Sequence, residues 1–145
     1  MRAIIQVVSQ AAVSVNDREI SRIPAGFLIL LAVKVGDSEI QAQKMAEKIA
    51  HLRILQDTEG KMNLSLLDLK LSILLVSQFT LYGDCSRGNR PSFVDSARPE
   101  QALLLFNQVA ENLRTFGLEV VVGAFGEHMK ISLVNDGPTT IIIDL

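Results

Sequence analysis

Tryptophan is absent, tyrosine occurs once and phenylalanine six times in 145 residues, so few rings are available for stacking nucleobases. One cysteine, Cys85, cannot close an internal disulfide, which leaves the core to hold the fold and suits a reducing compartment. His51 and His128 are the only histidines that could serve a nucleophile as base, and no G-x-S-x-G elbow appears, so a serine triad is not expected. H-E-x-x-H, paired C-x-x-C and clustered His-carboxylate spacings are missing, and no metal is expected. Without a P-loop or a G-x-G-x-x-G after a strand, no nucleotide cofactor is indicated and none of any other kind is expected. The longest apolar runs, residues 27–33 and 73–76, fall far short of the roughly 20 residues that span a bilayer. Gln6, Ser9 and Gln10 interrupt the opening apolar stretch before it reads as an export signal, so a cytoplasmic protein without a membrane partner is expected. An excess of one charge is lacking too: 14 Lys and Arg against 16 Asp and Glu leave −2. No global field draws the chain to a polyanion, no DNA partner is expected, and any phosphate site must be local.

The composition, 48% hydrophobic and 21% charged, is that of a globular chain, and residues 1–145 suit one domain. Residues 2–15 lean toward period two and stop at Asn16-Asp17-Arg18, which predicts an opening β-hairpin. The run 27–33 reads as a central strand covered on both faces. Ala42, Met45, Ala46, Ile49 and Ala50 recur at helical spacing and predict an amphipathic helix over 39–52. A short strand is expected at 53–55, and 61–70 is too mixed to be other than loop. Residues 71–82 form the best strand pattern of the chain. Pro99 and Glu100 open a second helix that Gly117 stops. Apolar segments at 118–122, 130–134 and 139–144 are expected as closing strands. Strands at both ends with two main helices between them indicate a mixed α/β domain with substantial antiparallel pairing. Ile141-Ile142-Ile143 puts apolar groups on both faces of the last strand, which must be covered or paired with a second subunit.

Two features carry possible chemistry. If 71–82 is one strand, Gln78 and Thr80 share a face and bring polar groups into an apolar element, either as a site or as an end emerging into solvent before Gly83. Cys85 sits in the polar loop 83–91, where an incidental thiol is the simpler reading. The second feature is Asn135-Asp136-Gly137-Pro138 between two β-like runs, which reads as an ordinary hairpin turn.

Ser77-Gln78-Phe79-Thr80-Leu81, Arg87-Gly88-Asn89-Arg90-Pro91-Ser92-Phe93, Gly60-Lys61-Met62-Asn63 and Val134-Asn135-Asp136-Gly137-Pro138 together resemble the D-aminoacyl-tRNA deacylases, in that family's order along essentially the whole chain. The resemblance implies a homodimeric, β-rich domain with a barrel-like core. It also implies an enzyme that hydrolyses the ester between a D-amino acid and tRNA and also removes glycine mischarged on tRNA-Ala. Its Gly-Pro motif, here Gly137-Pro138, is then cis and enters the partner subunit's site, where two carbonyls meet the substrate's α-amino group and exclude L side chains. Two catalytic readings stay open within the motif Ser77, Gln78, Phe79 and Thr80. Thr80 acts as a nucleophile, or main-chain N–H groups around Phe79 and Thr80 polarise the ester while the ribose 2′-OH assists water. The second suits the missing base. Phe125 and Met129 resemble the pocket wall around the terminal adenosine, with core packing as the alternative. Arg87, Arg90 and Lys61 are the cations expected at tRNA phosphates near the 3′ end. The family usually reads Ile-Gln-Arg-Val near its start; here Val7 replaces the arginine held to steady the Gly-Pro carbonyls. That replacement motivates an alternative function, a catalytically weakened dimer that only binds aminoacyl-tRNA 3′ ends.

Overall fold

Alternating apolar residues build β1 (Arg2–Val15), a 14-residue strand that forms the spine of the sheet. The computed structural model describes all 145 residues. At the end of β1 the chain reverses through Asn16 and Asp17, both at positive φ (49° and 60°), as a tight two-residue hairpin demands. It returns as β2 (Arg18–Ile23), antiparallel to the far half of β1. β3 (Gly26–Ala32) pairs antiparallel with the near half on the same edge. The sheet then continues through β6 (Ser72–Ser77) and β7 (Val120–Val122), each parallel to its predecessor, in the order β2-β1-β3-β6-β7. Parallel neighbours need long crossovers, and α1 (Glu39–Ala50) and α3 (Pro99–Thr115) lie within them. The last strand, β8 (Met129–Asp144), runs antiparallel along the opposite edge of β1. β2 folds back against β6 and β7, so the strand-rich α/β domain is nearly closed and barrel-like.

Period two divides the central strands between two cores. Phe27, Ile29 and Leu31 of β3 and Ile73 and Leu75 of β6 face the helices, where Met45, Ile49, Phe106 and Val109 meet them. Leu28, Leu74 and Val76 point the other way, against Val8, Val13 and Ile23. At the β3–β6 contact a Cβ on Gly26 would lie 2.0 Å from the Ser72 carbonyl oxygen, so only glycine lets the two strands start together. Ser38 opens α1 with a capping box: its hydroxyl accepts from Ile40 N–H and the Gln41 side chain accepts from Ser38 N–H, worth about 1 kcal/mol. The chain ends meet behind this layer. The Met1 ammonium lies 2.9 Å from the Asp37 carboxylate, with both groups buried, and donates to the Leu145 carbonyl at 2.6 Å.

Three expectations are corrected. The strand expected over 71–82 stops at Ser77, and residues 79–82 wind into a 3-10 turn. Segment 61–70 is not loop throughout: Met62–Leu64 (β5) pairs with Leu55–Gln56 (β4), and Leu66–Leu69 forms a single helical turn, α2. Its Ser65–Asp68 capping box is a start signal hidden by the shortness of the helix. Finally, residues 135–138 do not reverse the chain. The segments 130–134 and 139–144 are two halves of β8, both on the same edge of β1, and the motif between them bulges out of one strand.

Candidate functional site

The parallel ladder carries β6 to its C-terminal end, where Gln78 N–H still donates to the Leu31 carbonyl at 2.9 Å. Beyond it Phe79, Thr80 and Leu81 are β-prone residues that tertiary hydrogen bonds pull into a 3-10 turn. The turn's first internal bond runs from Leu81 N–H to the Gln78 carbonyl at 3.2 Å. The Phe79 and Thr80 N–H groups precede it and have no carbonyl within the turn, which leaves two adjacent donors at the end of a buried strand. Three neighbours fix this geometry. Ser96 Oγ donates to the Phe79 carbonyl at 3.0 Å, Gly83 N–H to the Thr80 carbonyl at 2.9 Å, and Arg2 Nη1 to the Leu81 carbonyl at 2.9 Å. Arg2 is itself held by Asp144, which keeps the guanidinium pKa above its ordinary value, and it stacks over Tyr82 at 5.2 Å.

A cleft of about 590 Å³ opens beside the turn. Ser77, Gln78 and Phe79 line one side, and Phe125 and Met129 line another. Phe125 lies against Phe106 of α3 with ring centres 6.1 Å apart. Met129 covers Gly123 so closely that a Cβ there would meet its sulfur at 2.9 Å. Both residues thus serve cleft and packing at once. Thr80, exposed, does not line the cleft. Its hydroxyl accepts from the Gln78 side-chain amide, so the partner within reach is a donor and not a base. Gln78 and Thr80 satisfy each other outside any strand, and the shared strand face expected from alternation is absent.

The remaining expected residues lie elsewhere. Arg87 and Arg90 are exposed in the loop 84–92, which Asp84 and Ser92 close by reciprocal backbone bonds of 2.8 and 2.9 Å. The Ser86 backbone N–H holds the Asp84 carboxylate below its ordinary pKa. This loop returns to Phe93, which packs edge-on against Phe79 at 5.2 Å and joins the cleft wall. Lys61 is exposed at the β4–β5 turn, paired with Glu59 at 2.7 Å, and does not line the cleft. Gly137 and Pro138 are exposed on the β8 bulge, outside the cleft, and the peptide between them is cis.

Sequence reasoning missed Phe93, Ser96, Pro99, Ala102 and His128, all of which line the cleft. Pro99 is legible as a helix start but not as a helix start aimed at a site. His128 precedes Met129 by one residue, so the pocket-wall motif already points near it. His51 is far from this chemistry in role: it ends α1, its ring nitrogen paired with the Glu47 carbonyl at 2.9 Å. No group of three or more His, Cys, Asp or Glu side chains is arranged to hold a metal ion.

A family model described as D-Tyr-tRNA(Tyr) deacylase matches residues 4–144. A D-aminoacyl-tRNA deacylase of Thermosipho melanesiensis is 51% identical over 145 residues, covering 99% of this chain and 97% of that protein. Another, from Roseiflexus sp. strain RS-1, is 54% identical over 144 residues, covering 99% and 93%. Among solved structures, one described as a c-Myc DNA Unwinding Element Binding Protein superposes with a TM-score of 0.93 at 36% identity, covering 100% of this chain and 99% of its own.

Proposed function

Because the chain belongs to the D-Tyr-tRNA(Tyr) deacylase family, we propose that it hydrolyses the ester linking a D-amino acid to the 3′ end of tRNA, releasing both. The observation that carries the mechanism is the pair of N–H groups, Phe79 and Thr80, that donate to no backbone carbonyl in the turn following β6, next to a cleft that Phe79 lines. An ester carbonyl seated against them accepts two hydrogen bonds that strengthen as water adds and charge collects on the oxygen. One such preorganised donor is worth roughly 3 to 4 kcal/mol in other hydrolases. Thr80 lacks a base and stays a positioning group, so the substrate's ribose 2′-OH relays the proton, accepting one from the attacking water and passing its own to the 3′ oxygen as the ester C–O bond breaks. Phe125 and Met129 give the terminal adenosine an apolar wall.

Handedness is read, in this proposal, by the carbonyls of Gly137 and Pro138 supplied by a second subunit. Their exposure on a bulge outside their own cleft supports that arrangement. So does Ile142, 63% exposed on the same strand, which suits burial in a homodimer. Arg87 and Arg90 approach phosphates; Lys61, already paired with Glu59, contributes less. Glycyl-tRNA, which has no side chain to exclude, passes the same filter.

The test is deacylation of D-tyrosyl-, L-tyrosyl- and glycyl-tRNA by the pure protein, with sedimentation of the same sample. Cleavage of the D and glycyl esters by a dimer is expected. Cleavage of L esters at equal rate sinks the chirality reading, and tight binding without turnover makes the protein a 3′-end binder. Arg87→Ala should flatten the salt dependence of tRNA binding; an unchanged slope removes that residue from the phosphate path.

A further inference from the structure

The Gly137-Pro138 segment leaves the ladder abruptly. Gln6 faces Thr140 and Val8 faces Asn135, so residues 136–139 of β8 span the gap opposite Val7 alone. An excursion of this kind has no ladder of its own, and its shape depends on whatever crosses its neck. One side chain does so. Asn135 Nδ2 donates to the Val7 carbonyl at 2.8 Å and to the Thr139 carbonyl at 3.0 Å. Both hydrogens of a single amide are spent on the two carbonyls that flank the bulge, one on each strand.

The chemistry of that tie is selective. Aspartate has the same shape but offers no donor and sets a charge against two carbonyl oxygens. Serine has one hydrogen for two acceptors. Val7, directly across the bulge, has no polar atom in its side chain to help. Asp136, Gly137 and Pro138 are exposed, so solvent and not packing surrounds them on the outer side. Asn135 itself is half-buried, where a hydrogen bond is less easily replaced by water.

We infer that Asn135 is the residue that positions the Gly137-Pro138 carbonyls, and thereby a determinant of D over L selectivity in this chain. This rests on the proposed reading that those carbonyls meet the substrate's α-amino group. In that reading a shift of the segment relative to the partner's cleft admits an L side chain and misplaces a D one, whereas tRNA binding elsewhere is unaffected.

The experiment uses the full chain with Asn135→Asp and Asn135→Ser. It measures single-turnover rates on D- and L-tyrosyl-tRNA, tRNA affinity, thermal unfolding and the backbone amide spectrum of Gly137 and Thr139. Both variants are expected to fold, to bind tRNA within about twofold of the unaltered protein, and to lose at least tenfold in the D-to-L ratio. Serine, keeping one donor, should fall between aspartate and asparagine, and the two amide signals should broaden or split. Folded variants with the original ratio and the original amide signals overturn the inference. So does failure of both variants to fold, which makes Asn135 a residue of the fold alone. If the unaltered protein shows no preference for D esters, the reading of the motif falls, while the amide spectra still decide whether Asn135 holds the segment.

Discussion

Thr80 is the residue whose role its chemical identity suggests least well. A hydroxyl in the Ser77–Leu81 motif invites comparison with a nucleophile, yet its hydrogen-bond partner is the Gln78 amide nitrogen, which cannot take a proton. Thr80→Ala is therefore expected to retain activity within about tenfold, measured under single turnover. A loss of a hundredfold or more, the scale of a missing acid–base or nucleophilic group, would restore it as a participant. Tyr82, two residues on, gives the same region a spectroscopic probe of its own, being the single tyrosine in a chain without tryptophan. Burial, then the Asp37 and Asp144 carboxylates, push its phenol up to about 12, against the pull of Arg2. An unfolded tyrosine titrates near 10. The neutral phenol thus favours the folded state fully below about pH 10, and that contribution is lost as pH rises toward 12. A phenolate absorbance titration should show a late midpoint in the folded protein and an ordinary one in denaturant. A folded midpoint near 10 would mean that the ring is not held among Arg2, Lys34 and the carboxylates.

At the scale of elements, the site depends on where β6 stops, and β6 is aligned by its close start beside β3. Gly26 stands at that start, with the Ser72 carbonyl where its Cβ would be. Gly26→Ala must push the two strands apart at one end of the barrel, at a cost of about 2 to 3 kcal/mol, as overpacked cores show. Denaturant unfolding monitored by circular dichroism measures this, and a change under about half a kcal/mol would mean that the strands separate freely. Helices α1 and α3 are readable in the sequence because Ala42, Met45, Ala46 and Ile49, and Phe106, Val109, Ala110 and Leu113, each mark one face; Leu103 and Leu104, which the sequence adds to that pattern, are exposed. The 3-10 turn at residues 79–82 is not readable, because Ser96 and Arg2 hold its carbonyls from distant parts of the chain and leave no local pattern. The β8 bulge passes for a hairpin for a related reason. Asn-Asp-Gly-Pro has the residues of a turn, and only pairing of both flanks with β1 reveals that the chain keeps its direction.

Across the whole molecule, Met1 joins Asp37 to Leu145. The Asp37 carboxylate holds the buried Met1 ammonium, its other contacts include Lys34 N–H at 2.7 Å, and the Asp37 carbonyl accepts from Gln101 of α3. First strand, last residue, β3–α1 connection and second long helix therefore share one polar cluster. Asp37→Ala leaves the buried Met1 ammonium only its bond to the Leu145 oxygen, with no carboxylate side chain against it, and is expected to cost about 3 kcal/mol, the low end for breaking a buried ion pair. For a domain of this size that corresponds to a fall of roughly 10 °C in Tm, read by thermal unfolding. A fall of under about 2 °C would show that water replaces the carboxylate without loss.

Composition by itself determined a nearly balanced charge of −2, and periodicity a mixed α/β domain with a central β3 and two amphipathic helices, because these elements are written in spacing within a short window. The family resemblance followed from motifs that survive as strings, including Ser77 to Leu81 and Asn135 to Pro138. Only the tertiary structure decided that the first string leaves the sheet after Ser77 and winds into a 3-10 turn beside a cleft. It alone decided that Phe93, Pro99 and His128 join Phe125 and Met129 there, and that Asn135 spans the bulge carrying Gly137 and Pro138. These placements join residues far apart in sequence through hydrogen bonds and packing, and no local pattern records a partner on another element.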